Sequence, residues 1–310
     1  MAFALVFPGQ GSQSVGMMAA YGESAVIRDT FVEASEALGE DLWQMATEGP
    51  TERLAMTVNT QPLMLTAGVA VYRAWCAAGG PQPAVMAGHS LGEYSALVAA
   101  GVLAFADAVP LVRFRAQAMQ EAVPKGEGAM AALLGLDVDT VREACAEAAA
   151  GEVVEAANLN APGQIVIAGS AAAVQRAVEI AKAKGAKRAV LLPVSAPFHC
   201  ALMRPAAERL QERLSGIVFS KPQIPVLNNV DVATYDDTDR IRDALVRQAF
   251  SPVRWIETVQ AIAARGVGQV YECGPGKVLA GMSKRIESGL VGAAIADADG
   301  LQQAIAATGA

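Results

Sequence analysis

Gly88-His89-Ser90-Leu91-Gly92 reads G-x-S-x-G, with a short apolar run over 84–87 before it and a helix-forming run over 93–100 after it. Strand, tight turn and helix in that order make a nucleophile elbow, which holds a serine hydroxyl clear of the backbone. The start of such a helix aims free N–H groups, and the positive end of its dipole, at the same place. An oxyanion forming beside Ser90 would meet the backbone N–H of Leu91 first. The two glycines suit a turn that neighbouring side chains would crowd. The same five-residue pattern also occurs by chance in ordinary strand-to-helix turns, and it is the flanking runs that favour a nucleophile here.

A serine hydroxyl is a poor nucleophile at neutral pH and needs a base. The chain has two histidines. His89 is adjacent to Ser90, and neighbours on a sharp turn point in different directions, so it reads as a packed or hydrogen-bonded elbow residue. His199, after Pro197-Phe198, is then the candidate base. Hydrolases with this elbow place an acid between serine and histidine, with the histidine late in the chain. Here no acid stands out between the two, and about 110 residues follow His199. A Ser–His dyad is expected, its imidazole oriented by an amide or a backbone carbonyl. Arg115 lies on the next expected helix, where two readings are open. It is either a solvent-exposed helix arginine or a fork that pairs with a substrate carboxylate. Under the second reading, an acyl group without a carboxylate would leave a buried charge unpaired, at about 3–5 kcal/mol.

These residues need elements to hold them. Residues 3–7 read as a buried strand ending at Pro8-Gly9. The glycine-rich Gly9-Gln10-Gly11-Ser12-Gln13 follows, without the third glycine of a dinucleotide fingerprint. Helices are expected over 24–38, 60–78 (with Pro62 in the first turn) and 105–122. From 129 to 193 the pattern becomes strand, helix, strand, strand, helix, strand, a split β-α-β arrangement. A strand at 224–229, helices over 236–250 and 252–265, a strand at 269–273, a helix over 277–286, a strand at 291–296 and a terminal helix complete the chain. Strand–helix alternation outside the middle segment predicts a mostly parallel sheet covered on both faces. Gly276-Lys277 is not a phosphate loop, because Val278 stands where Ser or Thr is required.

Composition narrows the classes. The 310 residues suffice for a large core, 53% are hydrophobic, and the net charge is −7. An acidic chain gives no electrostatic support for nucleic-acid binding. The four cysteines are far apart, which argues against a disulfide framework or a zinc site. The apolar start lacks the basic flank and length of a signal peptide, and no apolar run is long enough to span a bilayer. A cytoplasmic protein is expected.

The segments Phe7-Pro8-Gly9-Gln10-Gly11-Ser12-Gln13, Thr60-Gln61-Pro62, Gly88-His89-Ser90-Leu91-Gly92-Glu93-Tyr94, Arg115 with Met119-Gln120, His199-Cys200-Ala201-Leu202-Met203 and Gly274-Pro275-Gly276 carry a further signal. In order and spacing they resemble the bacterial malonyl-CoA:acyl carrier protein transacylases, relatives of the acyltransferase domains of polyketide and fatty acid synthases. The resemblance covers essentially the whole chain. It implies an α/β-hydrolase-like, mostly parallel sheet core (1–126 and 196–310) with an inserted ferredoxin-like subdomain (127–195). It implies Ser90 as acylated nucleophile, His199 as base, backbone N–H groups of Gln10 and Leu91 as oxyanion donors, and Arg115 on the malonyl carboxylate. Gln248 matches the residue whose carbonyl orients the histidine. Asn158 and Asn160 match amides facing the cleft, Asn160 as a substrate contact. The implied substrates are malonyl-CoA and phosphopantetheinylated acyl carrier protein, with no cofactor, metal, nucleic acid or membrane, and the family suggests a monomer.

Ala116 departs from the family's usual glycine, and Phe198 from the serine of many bacterial members. Carrier proteins of this kind are acidic, and Lys182, Lys184, Lys187 and Arg188 form the densest basic cluster, either a dock or a solvated helix end. A serine thioesterase using water and a non-catalytic acyltransferase relative are the competing readings. Arg115 and the missing triad acid argue against the first, and the intact Ser90, His199 and Arg115 against the second.

Overall fold

In β1 (Phe3–Phe7) every side chain is buried, which an apolar strand covered on both faces requires. Phe3, Leu5 and Phe7 enter one core, while Ala4 and Val6 enter another on the opposite face. The computed structural model describes residues 2–309. After β1 come β2 (Val85–Gly88), β3 (Gly128–Leu134), β4 (Val154–Ala161), β5 (Gln164–Ser170), β6 (Arg188–Leu191), β7 (Val226–Leu227), β8 (Gln269–Cys273) and β9 (Val291–Ile295). They form two sheets. The first is parallel throughout, in the order β7-β2-β1-β8-β9; the second is antiparallel, in the order β4-β5-β3-β6.

Helices α1 (Ala25–Leu38), α2 (Leu42–Glu48), α3 (Thr51–Ala55), α4 (Thr57–Ala77), α5 (Leu91–Ala99) and α6 (Phe105–Glu121) precede the antiparallel sheet. Helices α7 (Val138–Ala149) and α8 (Ala171–Ala183) belong to it, and α9 (Arg204–Ser215), α10 (Thr238–Gln248), α11 (Trp255–Ala263), α12 (Val278–Ile286) and α13 (Ala298–Thr308) follow. Alternating residues divide the antiparallel sheet's faces. Ala131, Leu133, Ile165 and Ile167 pack with Val141, Cys145, Val174 and Val178 of α7 and α8. Met130, Val166 and Ala168 point the other way, into the main core. Backbone ties β4 to the segment between α10 and α11: Leu159 N–H donates to Val253 O, and Val253 N–H to Ala157 O, both at 2.9 Å.

Three sequence expectations need correction. The helix expected from Thr60 begins at Thr57, so Pro62 lies inside α4 rather than in its first turn. Thr57 and Asn59, left outside the expected helix, are polar yet buried, as are Thr60 and Gln61 after them. Helices α2 and α3 were not expected, being too short to show a period. The strand expected over 224–229 pairs only at Val226 and Leu227. No helix among the described residues is long and apolar enough to cross a membrane.

The elbow joins β2 to α5. Ser90 caps α5 with φ 51° and ψ −106°, a left-handed backbone that is strained for a residue with a side chain. Its glycines answer to close approach. A Cβ on Gly88 would lie 1.9 Å from Gly92 backbone atoms, and one on Gly92 2.0 Å from Phe7 O. Backbone cannot step aside as a flexible side chain can, so Gly92→Ala should lower the unfolding free energy by about 3 kcal/mol or more. Gly281→Ala, in α12 with nothing within 4 Å, should instead raise it by about 0.5–1 kcal/mol. Denaturant unfolding of the two variants measures both.

Candidate active site

Ser90 Oγ lies 2.7 Å from His199 Nε2, and His199 Nδ1 lies 2.8 Å from the backbone oxygen of Gln248. A carbonyl only accepts, so Nδ1 carries the proton and Nε2 is left as an acceptor for the serine hydroxyl. This is the tautomer a general base needs. His199 is 4% exposed and itself sits at φ 62°. Burial, then the positive charge of Arg115, pushes its pKa down to about 3, which keeps the imidazole neutral.

Arg115, open to two readings in the sequence, is 2% exposed. Its Nη2 donates to Ser90 Oγ at 3.1 Å and to Gln248 Oε1 at 2.9 Å, and its Nη1 to Gln61 Oε1 at 2.7 Å. The guanidinium stands 5.3 Å from the Tyr94 ring centroid, a cation–π distance. Among the described residues no carboxylate forms an ion pair with it, and its Nε has no partner. Its hydrogen-bond partners are all neutral, so no direct ion pair competes with a ligand for the guanidinium.

Two amides brace the elbow. Asn229 Oδ1 accepts from Ser90 N–H and its Nδ2 donates to Gly88 O, both at 2.8 Å. Gln248 Nε2 donates to Ser90 O at 3.0 Å and to Glu93 Oε2 at 2.8 Å. Asn229 N–H also donates to Glu93 Oε2, at 2.9 Å. Asn229, Glu93 and the side chain of Gln248 escaped the sequence reading. The non-consecutive pairing of β7 with β2 brings 229 beside 90, and no local spacing reports such a neighbour. An Asn pair after a short apolar run was the one signal available.

Ser90, His199 and Arg115 share a cavity of about 150 Å³ with Gln10, Gln61, His89, Leu91, Met119, Met130, Asn158, Leu192, Val194 and Phe198. Leu91 opens α5, where an N–H has no partner within the helix. The Gly9-Gln10 turn is pressed against the elbow, since a Cβ on Gly9 would lie 2.5 Å from His89 O. Gln10 Oε1 accepts from Thr57 Oγ1 at 2.8 Å, which fixes the turn from the start of α4. Gln10 and Leu91 thus border the same cavity as Ser90.

Asn160 Oδ1 lies 2.8 Å from His89 Nε2, whose ring packs on Trp255 with centroids 5.6 Å apart. Asn158 lines the cavity, whereas Asn160 meets it through His89. The register of β4 against β5 shifts between Leu159 and Ala161, which breaks the alternation that would put both amides on one face. In the basic cluster, Lys182 pairs with Glu179 and Lys184 with Glu147 and Glu143. Lys187 and Arg188 have no ion pair among the described residues.

Residues 4–298 match the acyl transferase domain family. The malonyl CoA-acyl carrier protein transacylase of Escherichia coli strain K12 is 56% identical over 304 residues, covering 98% of each chain. The structure of an acyl-carrier-protein S-malonyltransferase from Burkholderia pseudomallei 1710b is 61% identical, with a TM-score of 0.97 over 99% of this chain and 100% of its own. A malonyl-transacylase solved in complex with its type II PKS acyl-carrier protein is 52% identical, with a TM-score of 0.98 over 99% and 100%.

Both imidazoles should titrate below the ordinary 6.5, because burial strips water from the charged form, and His199 furthest, at about 3. Arg115→Ala removes a positive neighbour and so should move the His199 midpoint upward, toward 6.5, leaving His89 in place. Histidine side-chain NMR across a pH series reads both; a His199 midpoint unmoved by the substitution would contradict the electrostatic account.

Proposed function

Because the chain belongs to the acyl transferase domain family and is an acyltransferase, we propose that it moves a malonyl group from malonyl-CoA to the phosphopantetheine thiol of an acyl carrier protein, through a malonyl ester on Ser90. One observation carries the choice of acyl group: Arg115 is a buried guanidinium without a counter-ion, 3.1 Å from the hydroxyl that would carry the acyl chain. A carboxylate two bonds beyond the ester carbonyl supplies the missing charge, in the bidentate geometry a guanidinium favours.

The reaction runs in two halves. Ser90 Oγ attacks the thioester carbonyl and passes its proton to His199 Nε2. The oxyanion is met by the N–H groups of Gln10 and Leu91, each contributing roughly 100- to 1,000-fold by analogy with other acyl-transfer sites. The C–S bond then breaks, and coenzyme A leaves as a thiol with the proton from His199. In the second half the carrier protein's thiol gives its proton to His199 and attacks the ester, and Ser90 recovers a proton as it leaves. The Gln248 carbonyl holds the imidazole in one tautomer throughout, the office an acid fills in a triad. No cofactor enters this scheme.

Malonyl-CoA and acyl carrier protein are the partners in this reading, and a cytoplasmic monomer is its setting. The β-α-β-β-α-β order and the β4-β5-β3-β6 sheet support describing 127–195 as a ferredoxin-like subdomain within a hydrolase-like core of 1–126 and 196–310.

Mass spectrometry after mixing with malonyl-CoA should find one malonyl group on Ser90 and none on Ser90→Ala. Arg115→Ala should lose malonyl loading by about 100-fold or more while acetyl loading falls far less. An absent malonyl adduct on the wild type removes the proposal, and release of free malonate faster than transfer to carrier protein turns it into a thioesterase. Glutamate at both Lys187 and Arg188 should raise KM for carrier protein and spare malonyl-CoA loading; an unchanged KM places the dock elsewhere.

A further inference from the structure

Glu93 is 2% exposed, one helical position that rarely tolerates an unpaired acid. It does not itself line the cavity around the serine; its N–H donates to Ser90 O at 3.1 Å, and both groups that donate to its carboxylate also brace the elbow. Its Oε2 accepts from Asn229 N–H and from Gln248 Nε2. The same Gln248 nitrogen donates to Ser90 O, and the amide's other end, Oε1, accepts from Arg115 Nη2. An amide has a donor end and an acceptor end of almost equal shape, so its orientation depends on what it faces. Turned over, the Gln248 amide would set its oxygen against two acceptors and its nitrogen against a guanidinium, three repulsive contacts in place of three attractive ones.

We propose that Glu93 is a positioning residue for acyl-group selectivity: it locks the Gln248 amide with Oε1 toward Arg115, which holds the guanidinium beside Ser90. Burial raises the Glu93 carboxyl to about 7, and the lock works in either protonation state, because Oε2 accepts from both neighbours while the other oxygen holds any proton. What matters is an acceptor at this place, so glutamine can stand in for glutamate and a thioether cannot. The proposal rests on the acyl-transfer reading of Ser90 and Arg115.

Rates of Ser90 loading with malonyl-CoA and with acetyl-CoA, followed by mass spectrometry, test it in Glu93→Gln and Glu93→Met. Glu93→Gln should keep the wild-type ratio of malonyl to acetyl loading. Glu93→Met should lower that ratio on the order of 10-fold or more, the worth of a hydrogen bond to a charged group. General damage to the elbow would slow both acyl groups alike, so a ratio unchanged in Glu93→Met overturns the proposal. If that variant does not fold, Gln248→Met removes the locked amide and leaves the backbone carbonyl on His199; an unchanged ratio there is equally fatal. The wild type separates the two kinds of failure. No malonyl adduct on wild-type Ser90 removes the acyl-transfer reading, whereas a normal adduct with unchanged ratios removes the role of Glu93 alone.

Discussion

Burying a guanidinium costs several kcal/mol unless hydrogen bonds replace the water it gives up. In this protein Gln61, Gln248 and the Ser90 hydroxyl replace that water for Arg115, and none of them cancels its charge. Much of the local structure follows from this arrangement. Gln61 is buried in the second turn of α4, so that helix presents a polar side chain to the interior where the guanidinium needs one. The neutral partners also keep a positive charge near His199, where it helps to hold the imidazole unprotonated.

Gln248 shows how few atoms can serve several tasks. Its backbone oxygen fixes the His199 tautomer, one end of its amide holds Arg115, and the other end holds the Ser90 carbonyl. Both Ser90 and His199 have positive φ values, and such backbone strain persists only where neighbours over-determine it. Asn229 and Gln248 supply that over-determination at the elbow from two places remote in sequence, the turn after β7 and the end of α10. The strain therefore sits where the structure is best braced.

What was legible in the sequence follows the range of each signal. Ser90 was readable because its cue is local: a strand, two glycines and a helix within about a dozen residues. His199 was readable because histidines are scarce here. The parallel sheet, and the strand–helix order of the middle segment, followed from periodicity. Arg115 could not be settled, since a helix of mixed polarity does not announce which face is buried. Asn229 and Glu93 lay beyond reach, because their roles depend on β7 lying next to β2, a neighbour relation that chain order does not carry. That Asn158 lines the cavity while Asn160 bonds to His89 turns on a register shift within one strand, which periodicity does not report.

The cavity's lining has an uneven origin. Met130, Asn158, Leu192, Val194, Phe198 and His199 come from the chain after residue 128, while Gln10, Gln61, His89, Ser90, Leu91, Arg115 and Met119 come from the chain before it. The serine and the guanidinium are thus supplied by one part of the chain and the imidazole by another. A cut anywhere between Met119 and Met130 would part Ser90 from His199, as the halves of a clasp come apart. The pair exists only once both parts have closed on each other, so a chain folded in its first part alone carries a serine with no imidazole beside it.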